Sequence, residues 1–174
     1  GLPLTRIIQD STYSEWLPDK HKKTHIPHEH DFPKSLETAI DMFVLSCAAR
    51  LIREKSDKHH NSMLIHVTRF VAVQEIISEQ VRSYLDELRV SLRNDNRREA
   101  TVKQRLKELW EKEYIPKSQQ IMELDEDFGA ELHDFADIEE KLMKAVQQRE
   151  KLWLEQIQNI RMLLTSILPI CYLN

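Results

Sequence analysis

The chain has 174 residues, 41% of them hydrophobic and 31% charged, and a net charge of −4, which argues against a uniformly basic nucleic-acid binder. Its apolar runs are too short for a membrane span or signal peptide, and two cysteines, Cys47 and Cys171, are typical of a reducing, cytoplasmic compartment. Because glycine occurs only at Gly1 and Gly129, no Walker loop, GxGxxG turn or GxSxG elbow can form, which excludes the enzymes built on those motifs.

Residues 1–34 are predicted to form an extended N-terminal segment. Four of the six prolines lie there, and the stretch "SEWLPDKHKKTHIPHEHDFP" is polar and irregular, as expected of a loop. The short stretch "TRIIQ" (residues 5–9) could form one strand. Residues 35–174 are then predicted to form a single helix-rich domain.

Two long helices are predicted in the first half of that domain. The first runs from Ser35, a good N-cap after a proline, to about Arg53, because apolar residues recur there at helical spacing. The second runs from Phe70 to about Arg93 on the same criterion. Between them, "SMLIHVT" (residues 62–68) is short, apolar and β-branched. Its spacing fits a strand or the start of a helix, and we favour a strand.

Further helices are predicted after the polar turn "RNDNRRE" (residues 93–99). One ends before Pro116, another begins near Ser118 and is broken at Gly129, and a long helix covers residues 132–164 and stops before Pro169. The predicted fold is therefore mainly α, a bundle of long helices with a few short strands.

The histidine-rich stretch "HKKTHIPHEHD" (residues 21–31) is the first candidate for chemistry. His21, His25, His28 and His30, with Glu29 and Asp31, could supply three or four zinc ligands, since imidazole nitrogens are common in zinc sites. The predicted metal ligands are His25, His28 and His30. Pro27 lies among them and no Cys-x-x-Cys pair accompanies them, so an exposed histidine-rich loop is the competing interpretation. The lysines of this loop could instead contact phosphate groups; they are Lys20, Lys22 and Lys23.

The stretch "HHNSMLIHVTRF" (residues 59–70) is the second candidate. If it contains a strand, alternate residues from Ser62 to Thr68 share one face, and the apolar residues between them share the other. His66 then projects from the more polar face. It is either a core histidine with satisfied hydrogen bonds or a ligand or phosphate contact near the end of the strand.

Four stretches resemble a known family. They are "WLPDKHKK" (residues 16–23), "PKSLETAIDMFVLSCAARLIR" (33–53), "HNSMLIHVTRFVAVQ" (60–74) and, more weakly, "LWEKEYIP" (109–116). Over residues 16–116 the chain resembles the Z1 ("Z-one") domain. That domain is described as an endonuclease domain of helicase-like ATPases at bacterial restriction–modification and phage-defence loci.

The resemblance implies that "SMLIHVT" and the next helix open a RecA-like lobe, with residues 93–159 as a helical insertion. It also implies ATP and magnesium as cofactors of the full-length family, with DNA and the other lobes or subunits of a defence system as partners. The strand end then lies where such sheets bind ligands, near His66, Thr68 and Arg69. This chain carries no Walker loop, so we expect it to be one piece of such an ATPase and to bind no cofactor by itself.

The sequence therefore predicts a module that contributes DNA-backbone contacts and lobe packing, without chemistry of its own. Two alternatives stay open: a metal-dependent endonuclease that acts through the histidine-rich loop or an acidic cluster, and a non-enzymatic scaffold for protein interactions. No membrane association is expected. The predicted DNA contacts are Asn61, His66, Thr68, Arg69, Lys20, Lys22 and Lys23.

Overall fold

The computed structural model describes residues 12–53, 61–93, 97–124 and 131–147. Its helices are α1 (Thr12–Trp16), α2 (Lys34–Arg53), α3 (Val71–Arg93), α4 (Arg97–Leu109), α5 (Ile115–Leu124) and α6 (135–147), with a 3-10 turn at Glu29–Asp31 and a π-helical turn at Trp110–Tyr114. The predicted helical fold is confirmed, but no strand occurs in these residues. Among the helices described, none is both long enough and apolar enough to cross a bilayer.

Helix α2 begins one residue earlier than predicted. The carbonyl of Pro33 accepts hydrogen bonds from the backbone N–H groups of Leu36 (2.9 Å) and Glu37 (3.1 Å), so Pro33 is the last residue before the helix and Lys34 is the first within it. Ser35 is therefore inside the first turn and is not the N-cap. The predicted ends of α2 and α3, at Arg53 and Arg93, are confirmed.

The stretch 61–70 is irregular, where a strand was predicted. Its side chains nevertheless alternate as in a strand: Ser62, Leu64 and His66 are exposed, whereas the apolar residues between them pack against the core. A strand also needs a neighbour to bond its backbone groups, and the described residues supply none. The spacing of apolar residues in the sequence predicts the alternation of the side chains, but it does not show whether a second strand lies alongside. The other predicted strand, "TRIIQ", lies outside the described residues.

The helix predicted to end before Pro116 continues through it. Helix α4, the π-helical turn and α5 follow one another without interruption from Arg97 to Leu124, so no new helix starts near Ser118. At the end of the wide turn, the N–H of Ile115 bonds the carbonyl of Trp110, five residues back. Proline crowds the carbonyl four residues before it in an α-helix, and the wider spacing just before Pro116 relieves that conflict.

Helix α6 begins after Asp134, whose carboxylate accepts a hydrogen bond from the N–H of Asp137 at 3.1 Å and so caps the first turn. The predicted helix 132–164 is thus confirmed only in part, over residues 135–147. The expected break at Gly129 and the stop before Pro169 lie outside the described residues.

The core consists of two apolar clusters that share helices α2 and α3. The first joins the C-terminal halves of α2 and α3 to α4, the π-helical turn and α6, around residues such as Leu45, Leu106 and Ile138. The second joins the N-terminal halves of α2 and α3 to residues that precede α2, around Trp16, Leu17, Ile40, Val73, Ile77 and Val81. The apolar residues of the stretch 61–70 pack on this second cluster, which therefore supports both candidate stretches of the sequence.

Candidate nucleic-acid interface

Trp16 anchors the loop that follows it, residues 17–31, which we call the N-terminal strap. The Trp16 side chain is fully buried, and its indole Nε1–H donates to Oε1 of Gln80 on α3 at 2.8 Å. The amide of Gln80 in turn donates from Nε2 to the carbonyl of Pro27 at 2.7 Å. One buried glutamine thus holds both Trp16, just before the strap, and Pro27, within it, against α3.

His21 connects the strap to the stretch 61–70. Its Nδ1 lies 2.7 Å from the carbonyl of Pro18, which can only accept, so Nδ1 carries the proton. In the neutral ring, Nε2 then accepts from the hydroxyl of Thr68, also at 2.7 Å. The ring packs edge-on against Phe70, with centroids 5.5 Å apart. His21 is therefore a strut between two loops.

Thr68 takes part in this junction and does not face solvent. It is 5% exposed, its Oγ1 accepts from the N–H of Phe70 at 3.2 Å, and its carbonyl accepts from Nε2 of Gln74 at 2.6 Å. These bonds fix the entry into α3. Of the predicted DNA contacts, Thr68 is thus placed to position its neighbours and not to reach a ligand.

Four of the predicted DNA-contacting cations lie exposed around the junction. Lys20 and Lys22 flank His21 in the chain, Lys23 follows, and Arg69 comes directly after Thr68. Since consecutive Cα atoms are about 3.8 Å apart, the contact between His21 and Thr68 brings the lysines and Arg69 onto adjoining surface. The Arg69 guanidinium lies over the Phe70 ring, 5.1 Å from its centroid.

Two further predicted contacts lie on the same stretch. His66 is exposed, on the side opposite the core-facing residues. Asn61 is half-buried, and its Oδ1 accepts a hydrogen bond from Nη1 of Arg50 at 2.5 Å. Asn61 therefore ties the stretch to α2, while His66 is available at the surface.

The three predicted metal ligands, His25, His28 and His30, do not form a metal site in the described part of the chain. Nε2–H of His25 donates to the carbonyl of Trp16 at 2.9 Å, while the rings of His28 and His30 stack on each other with centroids 5.4 Å apart. In the described part of the chain, no three His, Cys, Asp or Glu side chains are placed to hold a metal ion. The family resemblance implies ATP, but this sequence lacks the glycines that a phosphate-binding loop of the Walker type needs.

A second polar cluster, which the sequence analysis missed, joins α2, α3 and α4. Asp41 is 1% exposed, and its carboxylate accepts from Nε of Arg105 at 2.8 Å and from Nη2 at 3.3 Å. The Tyr84 hydroxyl donates to Asp41 at 2.8 Å and accepts from Arg105 at 2.9 Å. A sequence signal existed: Asp41 is the lone carboxylate inside "AIDMFVLSCAA", where an acid at a core position needs a partner.

The ionisation of this cluster follows from its burial. Burial raises the pKa of the Asp41 carboxyl above its ordinary value, although Arg105 and Tyr84 lower it. Burial also raises the pKa of Tyr84, so its hydroxyl keeps the proton that it donates. For Arg105, burial lowers the pKa, but Asp41 and Tyr84 outweigh that effect and the net direction is upward. The cluster ties three helices together through the buried carboxylate of Asp41.

Replacing His21 with alanine is expected to lower the free energy of unfolding by about 1–2 kcal/mol, because two hydrogen bonds and the packing on Phe70 are lost. Urea unfolding followed by far-UV circular dichroism measures the change. His28→Ala is the matched control, since His28 is exposed and exposed substitutions usually change stability by less than about 0.5 kcal/mol. Equal stability of the two variants would contradict the role of His21 as a strut.

Comparison with known proteins gives one match. The family model described as "Z1 domain" matches residues 35–163, which is most of the chain. Neither the curated proteins nor the solved structures contain a match. The matched range includes the stretch 61–70, α3 and all of α2 except Lys34, and the N-terminal strap lies before it.

Proposed function

The chain belongs to the Z1 domain family, and from this premise we propose that it is a DNA-contacting module of a restriction-associated, helicase-like ATPase. In this role the chain contributes phosphate contacts and packing for neighbouring lobes, and ATP hydrolysis belongs to other parts of the assembly. DNA and those lobes are its partners.

One observation carries the proposal: His21, a half-buried strut, joins two loops that both carry exposed cations. The hydrogen bond between His21 and Thr68 is short, at 2.7 Å, and Thr68 is almost fully buried. Around this fixed point, Lys20, Lys22 and Arg69 all face solvent. Exposed cations on adjoining loops are a typical footprint for the phosphate backbone of a nucleic acid.

Because the chain is acidic overall, the position of these cations indicates where DNA could bind. With a net charge of −4, the protein as a whole repels polyanions, so binding has to come from a local positive surface. In the described structure several other basic side chains have acidic partners, as Lys117 has Glu113 at 2.9 Å and Lys103 has Glu139 at 3.0 Å. The lysines of the strap occupy no such ion pair among the described residues.

Arg69→Ala is expected to weaken DNA binding roughly five- to tenfold at low salt, because one phosphate contact is lost. Fluorescence anisotropy over a series of salt concentrations measures the effect. The slope of log K against log salt should become shallower by about 0.9 for duplex or about 0.7 for single-stranded DNA. Lys112→Ala, another exposed cation, on the π-helical turn, is the matched control and should leave both values unchanged. Unaltered affinity and slope in Arg69→Ala would refute the proposed contact.

A further inference from the structure

The two loops joined at His21 also carry exposed apolar side chains. Leu64 is 88% exposed, Ile26 is 61% exposed and Val71 is 49% exposed. Ile26 follows His25, whose ring lies 5.9 Å from that of His21, and Val71 follows Phe70, which the His21 ring contacts. Exposed apolar side chains thus occur on both loops that the strut joins, Ile26 on the strap and Leu64 on the stretch 61–70, and Val71 begins α3.

From this mixture we infer that the ligand of the surface is single-stranded nucleic acid and not duplex; the inference rests on the proposed function. The backbone of a duplex offers charged phosphates to the cations but no apolar partner to Leu64 or Ile26. An unpaired strand offers both, since its phosphates run beside bases whose faces are free to pack on side chains. Burial of those apolar groups then adds to the electrostatic attraction.

The backbone of the site supports the same assignment. Side chains alternate along the stretch 61–70, so Leu64 and His66 project on the same outward side, two residues apart. An imidazole ring is a surface on which an unpaired base stacks, and His66 supplies one on this side. Both loops are irregular here, so the cations do not lie along a helix that could enter a major groove.

The experiment compares three fluorescein-labelled DNA probes of equal length with the full chain: a single strand, its duplex, and an abasic single strand. Fluorescence anisotropy at low salt should show the single strand binding about tenfold more tightly than the duplex, as expected when bases add to phosphate contacts. The abasic strand should bind no better than the duplex. Binding of the duplex as tight as that of the single strand, or an abasic strand as good as the normal one, overturns the inference and leaves the proposed function standing.

A variant assigns the base contacts to this surface. Leu64→Ser should weaken binding of the single strand roughly fivefold, the scale expected for losing part of one apolar burial, and leave the duplex and abasic probes unchanged. Leu124→Ser is the matched control, since Leu124 is 75% exposed but lies at the end of α5. Both leucines are exposed, so unchanged thermal unfolding is expected for both variants. No effect of Leu64→Ser on the single strand overturns the inference, and no binding of any probe overturns the proposed function with it.

Discussion

Trp16→Ala is expected to lower the free energy of unfolding by about 3–5 kcal/mol, the range seen for truncating a buried aromatic side chain. The indole is fully buried in the second core cluster and packs edge-on against Phe32, with centroids 5.8 Å apart. Loss of the indole also leaves Oε1 of Gln80 without the hydrogen bond that it accepts from Nε1–H of Trp16. Because Gln80 holds the strap at Pro27 as well, the variant should detach the strap from α3.

Two further variants separate packing from hydrogen bonding at this position. Trp16→Phe keeps most of the apolar volume and loses the donor, so it should cost about 1–3 kcal/mol, less than alanine. Tyr13→Ala serves as the control, because Tyr13 is 36% exposed and its ring packs edge-on with that of Trp16, with centroids 6.2 Å apart. Urea unfolding gives the three values. A Trp16→Ala variant as stable as Tyr13→Ala would show that the strap is not anchored here.

Arg105→Met is expected to lower the free energy of unfolding by about 3 kcal/mol at neutral pH, since it leaves the Asp41 carboxylate buried without its cation. The methionine retains much of the aliphatic stem of arginine, so lost packing contributes little. Tyr84 still donates to Asp41 in the variant, but a single neutral donor replaces little of the charge interaction. Equilibrium unfolding in urea measures the loss.

The loss should depend on pH, with a sign that follows from the pKa of Asp41. Burial raises that pKa above 3.8, and removing Arg105 removes an effect that lowers it, so the pKa rises further in the variant. When the pKa of a carboxyl group is higher in the folded state than in the unfolded state, the protonated group stabilises the fold. For Asp41 this stabilisation is fully present below the ordinary pKa and is lost as pH rises through the folded-state pKa. The deficit of Arg105→Met relative to the parent is therefore largest near neutral pH and shrinks as pH falls towards 3.8.

The double variant Asp41→Asn/Arg105→Met provides the control for this pH dependence. Without the buried carboxylate, it should regain much of the stability lost in Arg105→Met at neutral pH, and its deficit should no longer change over the same pH range. Lys107→Met, which removes an exposed cation of the same helix, should be close to neutral at all pH values. A deficit of Arg105→Met that is constant from neutral to acidic pH would contradict the role of the Asp41 carboxyl group in this loss.

The helices were largely predictable from the sequence, because their signal is local. Apolar residues at helical spacing located α2 and α3, and the predicted C-terminal ends at Arg53 and Arg93 agree with the structure. The stretch 61–70 was harder, since alternation indicates which side chains are buried but not whether another strand lies beside them. At Pro116, the rule that proline ends a helix failed because a π-helical turn just before it relaxes the steric conflict.

The candidate site was only partly predictable, because its organisation depends on contacts between distant residues. The lysines were predicted from their place in a polar loop and Arg69 from the family resemblance, and their contact with DNA stays a prediction. The role of His21 was not, since it depends on Thr68, 47 residues later. The same holds for Asp41, whose partner Arg105 is 64 residues away. The sequence identifies residues that carry charge or can form hydrogen bonds, but only the fold shows which of them bond to each other across the structure.

The bond between Trp16 and Gln80 has a consequence for synthesis of the chain on the ribosome. The two residues are 64 positions apart, so at a translation rate of about 5–20 residues per second Trp16 waits roughly 3–13 seconds before its partner has been made. During that interval Trp16 and Leu17, both fully buried in the final fold, lack the residues of α3 against which they pack. This segment therefore exposes apolar surface that a chaperone can bind until α3 has been translated.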